Sequence, residues 1–156
     1  MHTRVLFVCL GNICRSPTAE GVFTHVARRR GIAVRADSAG TGSWHVGDPP
    51  DARAIAAATA RGYDISGLRA RQVSRADFER FDLILGMDES NIAALERLRP
   101  ADAETPVEPF LRYAPGPEIE LPDPYYDGGF ERMIELVEKA SAGLLDAIEA
   151  GMRRSG

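Results

Sequence analysis

The stretch from residue 5 to residue 17, Val-Leu-Phe-Val-Cys-Leu-Gly-Asn-Ile-Cys-Arg-Ser-Pro, constrains the fold of this chain more than any other. Its four apolar residues, 5–8, predict a strand buried on both faces. Ser16 can cap a helix and Pro17 suits the first helical position. Apolar residues then recur at helical spacing between 19 and 26. The pattern therefore predicts a strand, a short loop and a helix.

The predicted loop is typical of an anion-binding site. Unpaired backbone N–H groups and the positive end of the helix dipole attract anions to a helix N-terminus. Gly11 and Asn12 tolerate the left-handed backbone with which such a loop turns its amides inward. Arg15 adds a guanidinium fork that matches two phosphate oxygens. Because this environment favours a thiolate, we expect Cys9 to be a nucleophile beneath a bound oxyanion.

The eight residues 9–16, Cys-Leu-Gly-Asn-Ile-Cys-Arg-Ser, resemble the signature loop of the low-molecular-weight protein tyrosine phosphatases. A bare Cys-x5-Arg pattern would be weak, but the whole string between a strand and a Ser-Pro helix start is specific. The resemblance implies that Cys9 forms a phosphocysteine intermediate and that Arg15 binds the phosphate. It also implies a hydrogen bond from Ser16 to the Cys9 thiolate.

A second match, Leu-Pro-Asp-Pro-Tyr-Tyr at 121–126, resembles the general-acid loop of the same family. A phenolate leaving group, whose conjugate acid has a pKa of about 10, needs a proton near neutral pH. Asp123 is the predicted acid, and it would act as base on the attacking water in the second step. In isolation, Asp-Pro is more often a turn. The residues expected to bind phosphate or substrate are Leu10, Gly11, Asn12, Ile13, Cys14, Ser16, Trp44, Tyr125 and Tyr126.

Asn12 and Ser38 match family positions that brace the phosphate loop. The chain departs from the pattern once, since relatives often carry His where Leu68 precedes Arg-Ala-Arg-Gln-Val. Part of the brace is therefore missing or replaced. Cys14, five positions from Cys9 in a curled loop, is the expected redox partner of Cys9, as in relatives with both cysteines. The alternative is that Cys14 packs into the core as a small apolar side chain.

Strands that alternate with helices predict an α/β fold whose parallel sheet is covered on both faces. We predict one three-layer domain over 1–156, and the resemblance implies four parallel strands in the order 2-1-3-4. The expected strands are 5–8, 32–37, 82–86 and 107–111. The expected helices are 17–30, a helix capped by Asp48 or Asp51 that ends near 61, a turn at 76–80, a helix capped by Asp88 that ends near 98, and 129–152. Segments 38–43 and 113–127 are expected to be loops.

Composition supports a soluble globular protein and limits the classes of partner that it can bind. The chain has 156 residues, with 44% hydrophobic and 27% charged residues, and no apolar run approaches the ~20 residues of a membrane span. It enters a strand directly, so no signal peptide is expected. Two cysteines in one loop give no disulfide framework and fit a reducing cytoplasm. A net charge of −4 argues against nucleic acid. We expect a monomer that acts on phosphotyrosine-containing proteins.

No cofactor is expected, and His25 and His45 show no metal-ligand spacing with the cysteines, so no metal is predicted. Three alternatives remain. An arsenate reductase of the same fold relays electrons through further cysteines, and this chain has only two. Phosphoarginine phosphatases of the family carry Thr at the position of Ile13. An inactive phosphate-binding module is disfavoured because Cys9, Arg15 and Asp123 are all present.

Overall fold

The computed structural model describes residues 2–155, with side chains described for 2–151. It contains a four-stranded sheet in the order β2-β1-β3-β4, and every strand pair is parallel. This confirms the predicted α/β class and strand order. The strands are β1 Thr3–Cys9, β2 Val34–Gly40, β3 Leu83–Gly86 and β4 Val107–Pro109.

Helices pack on both faces of the sheet. The α-helices are α1 Arg15–Arg30, α2 Ala52–Ala60, α3 Asp77–Arg80, α4 Glu89–Leu98, α5 Pro124–Asp127 and α6 Phe130–Ser155. Alternate residues of β1 divide between the two faces. Val5 and Phe7 join the core beneath α1 and α6, whereas Leu6 and Val8 pack with Leu95 of α4. The described residues contain no helix with the length and apolarity needed to cross a bilayer.

The first helix begins earlier than predicted. Its first residue is Arg15 and its N-cap is Cys14, with no side-chain hydrogen bond at the cap. The prediction that Ser16 caps the helix and that Pro17 opens it was therefore wrong. Pro17 is tolerated as the third residue because the first-turn N–H groups have no partner inside a helix. The start of α1 therefore faces the loop with the N–H groups of Arg15 and Ser16, and a helix N-terminus of this kind attracts anions.

The second strand is longer than predicted and supports the loop after β1. Residues 38–40 continue β2, with Gly40 opposite Cys9, so their assignment to a loop was wrong. A Cβ atom on Gly40 would lie 2.8 Å from the carbonyl oxygen of Leu10. Small residues at this end of β2 therefore let the strand approach the loop that follows β1.

Other boundaries shift by a few residues. The fourth strand ends at Pro109, and Phe110–Tyr113 form a 3₁₀ turn. The segment predicted as a loop over 113–127 ends in the short helix α5. The predicted caps are confirmed at Asp51, not Asp48, and at Asp88, which forms a capping box with Asn91. The last helix covers the predicted 129–152 almost entirely, but the side chain of Met152 lies outside those described.

Candidate active site

Residues 10–14 connect β1 to α1 at the carboxyl edge of the sheet, where parallel α/β folds bind ligands. Asn12 has a φ of 58° and so adopts the left-handed conformation, but Gly11 does not. At Gly11 the missing side chain instead makes room for a neighbouring ring. A Cβ atom there would lie 3.1 Å from Cδ2 of His45.

Cys9 lies at the floor of the loop and is 3% exposed. Its Sγ is 3.0 Å from Oγ of Ser16 and accepts a hydrogen bond from the backbone N–H of Asn12 at 3.2 Å. The Ser16 hydroxyl already accepts a hydrogen bond from Asn12 Nδ2 at 2.8 Å, which leaves its own proton free for the sulfur. Two hydrogen-bond donors therefore face the Cys9 sulfur.

The Asn12 side chain braces the loop from behind. Its Nδ2 also donates to Oγ of Ser38 at 3.0 Å, and its Oδ1 accepts from the backbone N–H of Arg71 at 3.0 Å. Leu68, at the position where the sequence departs from the family pattern, packs against the hydrophobic core. The backbone N–H of Arg71 is the third partner of the Asn12 side chain, beside Ser16 and Ser38. These contacts offset the cost of a left-handed residue other than glycine, about 1–3 kcal/mol.

Arg15 is held by groups on two other elements. Its Nη1 donates to Oδ2 of Asp88 at 2.8 Å and to the carbonyl of Leu121 at 2.9 Å, and the side chain is 4% exposed. Its Nη2 lies 3.6 Å from Oδ2 of Asp123. Sequence reasoning assigned Asp88 to helix capping alone. Its second role is not signalled by any spacing, because 73 positions separate Asp88 from Arg15.

Asp123 lines the same cleft as Cys9 and is the N-cap of α5. Its Oδ1 accepts from the backbone N–H of Tyr125 at 3.0 Å, which leaves Oδ2 directed to the Arg15 side. Leu121 anchors the segment before it, because its N–H donates to the carbonyl of Met87 at 2.8 Å. The predicted acid is therefore on a tethered segment beside the predicted phosphate-binding guanidinium.

These groups surround one cleft with a volume of about 280 Å³. The cleft is lined by Cys9, Leu10, Gly11, Ile13, Cys14, Arg15, Trp44, His45, Asp123, Tyr125 and Tyr126. Each of these residues except His45 was predicted for the site. The remaining predicted residues, Asn12, Ser16 and Ser38, hydrogen-bond to one another behind the loop. His45 was considered only as a metal ligand, and its Nδ1 lies 3.2 Å from Oδ2 of Asp48.

Aromatic side chains form the rim of this cleft. Trp44 is 72% exposed and Tyr126 is 85% exposed, so neither is a core residue. The rings of Tyr125 and Tyr126 meet edge to face, with centroids 5.0 Å apart. Arg53, a residue that sequence reasoning missed, lies over the Tyr125 ring at 5.5 Å and donates to its carbonyl at 3.1 Å. The rim offers exposed aromatic rings against which an aryl group can pack.

Cys14 is buried, with 5% exposure, and also lines the cleft. Burial raises the pKa of its thiol to about 12, and the carboxylate of Asp51 contributes in the same direction. Cys14 therefore keeps its proton at neutral pH. Cys14 packs in the core cluster and also lines the same cleft as Cys9, and its role as redox partner of Cys9 stays a prediction.

Comparisons with known proteins indicate one family, and the similarity covers nearly the whole chain. The model of the family described as "Low molecular weight phosphotyrosine protein phosphatase" matches residues 4–154. A low molecular weight protein-tyrosine-phosphatase of Streptomyces coelicolor is 45% identical over 156 residues, which is 95% of this chain and 94% of the relative. The crystal structure of YfkJ from Bacillus subtilis superposes with a TM-score of 0.91 at 38% identity, covering 97% of both chains. That of a Drosophila arginine phosphatase superposes with a TM-score of 0.86 at 32% identity, covering 92% of this chain and 96% of the other.

Proposed function

The chain belongs to the low molecular weight phosphotyrosine protein phosphatase family, and we propose that it hydrolyses phosphotyrosine in proteins, and small aryl phosphates, through a phosphocysteine intermediate. One observation carries this proposal. The Cys9 sulfur accepts a backbone N–H and lies beside the Ser16 hydroxyl, at the floor of a cleft that Arg15 and Asp123 also line. A nucleophile, an anion cradle and an acid thus converge on one small volume.

In the first step, the Cys9 thiolate attacks phosphorus and an S–P bond forms as the bond to the phenolic oxygen breaks. Charge on the three equatorial oxygens is met by the Arg15 guanidinium and by the loop amides at the start of α1. Asp123 donates its proton to the departing phenolic oxygen. Splitting the hydrolysis into two displacements lowers the barrier of each.

In the second step, water attacks the phosphocysteine. The Asp123 carboxylate accepts a proton from the water as the new O–P bond forms. The S–P bond breaks, and the sulfur departs as a thiolate that Ser16 and the Asn12 N–H stabilise. Inorganic phosphate then leaves the cradle, and the site returns to its starting protonation state.

Substrate choice follows from the walls of the cleft. The exposed rings of Trp44 and Tyr125 can hold an aryl group, and the nucleophile lies at the floor beneath them. The aliphatic side chain of Ile13 offers no acceptor to a guanidinium, which favours phosphotyrosine over phosphoarginine. The likeness to a Drosophila arginine phosphatase makes phosphoarginine the second candidate substrate.

The proposal is tested by measuring turnover of phosphotyrosine, phosphoserine and phosphoarginine peptides side by side, together with arsenate reduction by a thiol. We expect phosphotyrosine to be hydrolysed fastest and arsenate reduction to be absent, since the chain has no cysteines beyond Cys9 and Cys14. The Cys9→Ser variant should lose turnover but still bind phosphate, because the amides and Arg15 remain. Turnover by Cys9→Ser would contradict the assignment of the nucleophile.

We further propose that the protein acts as a cytoplasmic monomer built as one domain over 1–156. A catalytic thiolate requires a reducing compartment, and both cysteines are free. Size-exclusion chromatography with light scattering tests the oligomeric state. A stable dimer at micromolar concentration would contradict this part of the proposal.

A further inference from the structure

The carboxyl group of Glu20, on α1, takes no part in the two-step mechanism. A series of hydrogen bonds nevertheless connects it to the nucleophile, Cys9. Oε1 of Glu20 accepts a hydrogen bond from the Ser38 hydroxyl at 2.7 Å. The Ser38 oxygen in turn accepts from Asn12 Nδ2 at 3.0 Å. On its other side, Asn12 reaches Ser16 and Ser16 reaches Cys9. Four contacts of 2.7–3.0 Å therefore join Glu20 to the sulfur.

The directions of these hydrogen bonds depend on the two groups at the ends of the series, Cys9 and Glu20. The Asn12 amide has two N–H protons, and one goes to each serine oxygen. Each serine has a single proton left to donate. Ser16 gives its proton toward the Cys9 sulfur, and Ser38 gives its proton to Glu20. With a carboxylate at Glu20 and, as the proposed mechanism requires, a thiolate at Cys9, every donor points outward from Asn12.

Glu20 is placed so that its charge changes in the range where phosphatases work. Burial raises the pKa of its carboxyl to about 7, although the Ser38 hydrogen bond opposes the rise. Asp37 of β2 raises it further, and the Arg71 guanidinium lowers it. Arg71 is engaged by two other carboxylates, those of Asp37 and Asp77, so it is shared. A protonated Glu20 is a weaker acceptor for Ser38 than a carboxylate.

We propose that Glu20 is a positioning residue for phosphate hydrolysis, whose carboxylate orients Ser38 and thereby fixes Asn12 in the left-handed turn that holds the phosphate loop around Cys9. The inference rests on the proposed function of the cleft. Neither Glu20 nor Ser38 lines the cleft, so their influence passes through Asn12. The turn at Asn12 is the strained part of the loop, with a φ of 58°, and it depends most on its bracing.

The Glu20→Gln variant isolates the charge. Glutamine keeps the size of the side chain and an oxygen acceptor for Ser38, but it does not titrate. Turnover of p-nitrophenyl phosphate is measured for both proteins from about pH 5 to about pH 9. The ratio of wild-type to variant kcat/KM cancels every ionisation that the two share. We expect a ratio near one in acid that rises several-fold in alkali, with a midpoint near pH 7.

Two further variants test whether the effect of Glu20 passes through Ser38. The first is a control for the loss of a surface carboxylate, and the second interrupts the series of hydrogen bonds. Glu96→Gln removes a carboxylate on α4 that pairs with Arg99 on the surface, and its ratio should stay at one throughout. Ser38→Ala cuts the chain between Glu20 and Asn12. In that background, Glu20→Gln should have no further effect, because residues in one network are not additive. An undiminished effect of Glu20→Gln without Ser38 would overturn the proposed route.

Sulfate binding gives a readout that does not depend on catalysis, and the charge of sulfate is constant over this range. Titration calorimetry should show several-fold weaker sulfate binding by Glu20→Gln than by wild type at about pH 8, and equal binding at about pH 5. A flat activity ratio or equal affinities at both pH values would overturn the inference. A wild type that binds sulfate but hydrolyses no phosphate ester would instead overturn the proposed function, while the sulfate comparison still tests Glu20.

Discussion

The guanidinium of Arg15 and the carboxylate of Asp88 form an ion pair behind the phosphate loop, with 2.8 Å between Nη1 and Oδ2. The other carboxylate oxygen of Asp88 accepts the backbone N–H of Asn91 and caps α4. One side chain therefore sets the start of a helix and the orientation of the phosphate-binding cation. The adjacent strands β1 and β3 bring these two residues together at their carboxyl ends.

Replacing Asp88 by Asn should separate its two roles. Asparagine is also a good N-cap, so α4 should keep its capping hydrogen bond and the free energy of unfolding should fall only through the weakened contact to Arg15. The charge-assisted hydrogen bond to Arg15, worth about 1.5–3 kcal/mol, is weakened, and kcat/KM should fall about tenfold or more. Asp88→Ala should lose activity and also about 1 kcal/mol of stability. Steady-state kinetics and urea denaturation check this, and full activity of Asp88→Asn would contradict it.

The Asp123→Asn variant should reveal the general acid through its leaving groups. Asparagine can still cap α5 but cannot donate a carboxyl proton, so phosphates of weakly acidic phenols should react about 10²–10⁴-fold more slowly. Phosphates of acidic phenols need little protonation and should lose least. The measurement is kcat/KM across a graded series of aryl phosphates. An equal loss along the series would mean that Asp123 has only a structural role.

Ile13→Thr should shift the substrate preference of the cleft. Its side chain lines the cleft, and a threonine hydroxyl there can accept a guanidinium N–H. We expect the ratio of phosphoarginine to phosphotyrosine turnover to rise about tenfold, as for one good hydrogen bond to a charged group. Ile13→Val is the matched control, because valine has the shape of threonine without its hydroxyl. An equal change in both variants would mean that the smaller side chain, and not the hydroxyl group, causes the effect.

Cys14 should protect Cys9 from irreversible oxidation. Brief peroxide treatment converts an accessible thiolate to a sulfenic acid, which a neighbouring thiol condenses to a disulfide. Wild type should then regain activity with a thiol reductant and show a loss of two hydrogens by intact mass. Cys14→Ala should start active but recover far less and gain oxygen. Equal recovery without that mass loss would leave Cys14 as packing alone.

The rate of that protection should depend on pH. Burial raises the pKa of the Cys14 thiol to about 12, so its thiolate fraction grows with every increase in pH across the neutral range. The attacking species in disulfide formation is a thiolate. We therefore expect the disulfide to form faster as the pH rises from about 7 to about 9. Quenched samples analysed by mass spectrometry measure this rate.

Glu20 should make wild type less stable in alkali. Its pKa of about 7 in the folded protein exceeds the ordinary glutamate value of 4.5, so the native state binds more protons than the unfolded state between these values. The contribution of Glu20 to the free energy of unfolding is fully present below pH 4.5 and is lost as the pH rises through about 7. Glu20→Gln should exceed wild type by about 1–3 kcal/mol at alkaline pH relative to acid. Urea denaturation at both pH values checks the difference.

Local patterns in the sequence were enough to predict the structural elements and the chemistry whose causes are local. The apolar run of β1, the caps at Asp51 and Asp88 and the loop from Cys9 to Arg15 each depend on residues a few positions apart, and such patterns are visible in one chain. The string around Asp123 was identified in the same way, and Asp123 lines the same cleft as the loop from Cys9 to Arg15.

Which distant groups complete the site depends on the folded arrangement of the chain. Asp88 meets Arg15, Ser38 meets Glu20, and Arg53 meets Tyr125 across 73, 18 and 72 positions of chain. No local pattern encodes these pairs, because they depend on the strand order and on where each parallel strand ends. The approach of Gly40 to the loop has the same origin, since the register of β2 on β1 brings it opposite Cys9. The fold therefore determines which of these side chains become partners, although their identity and local conformation were already evident from the sequence.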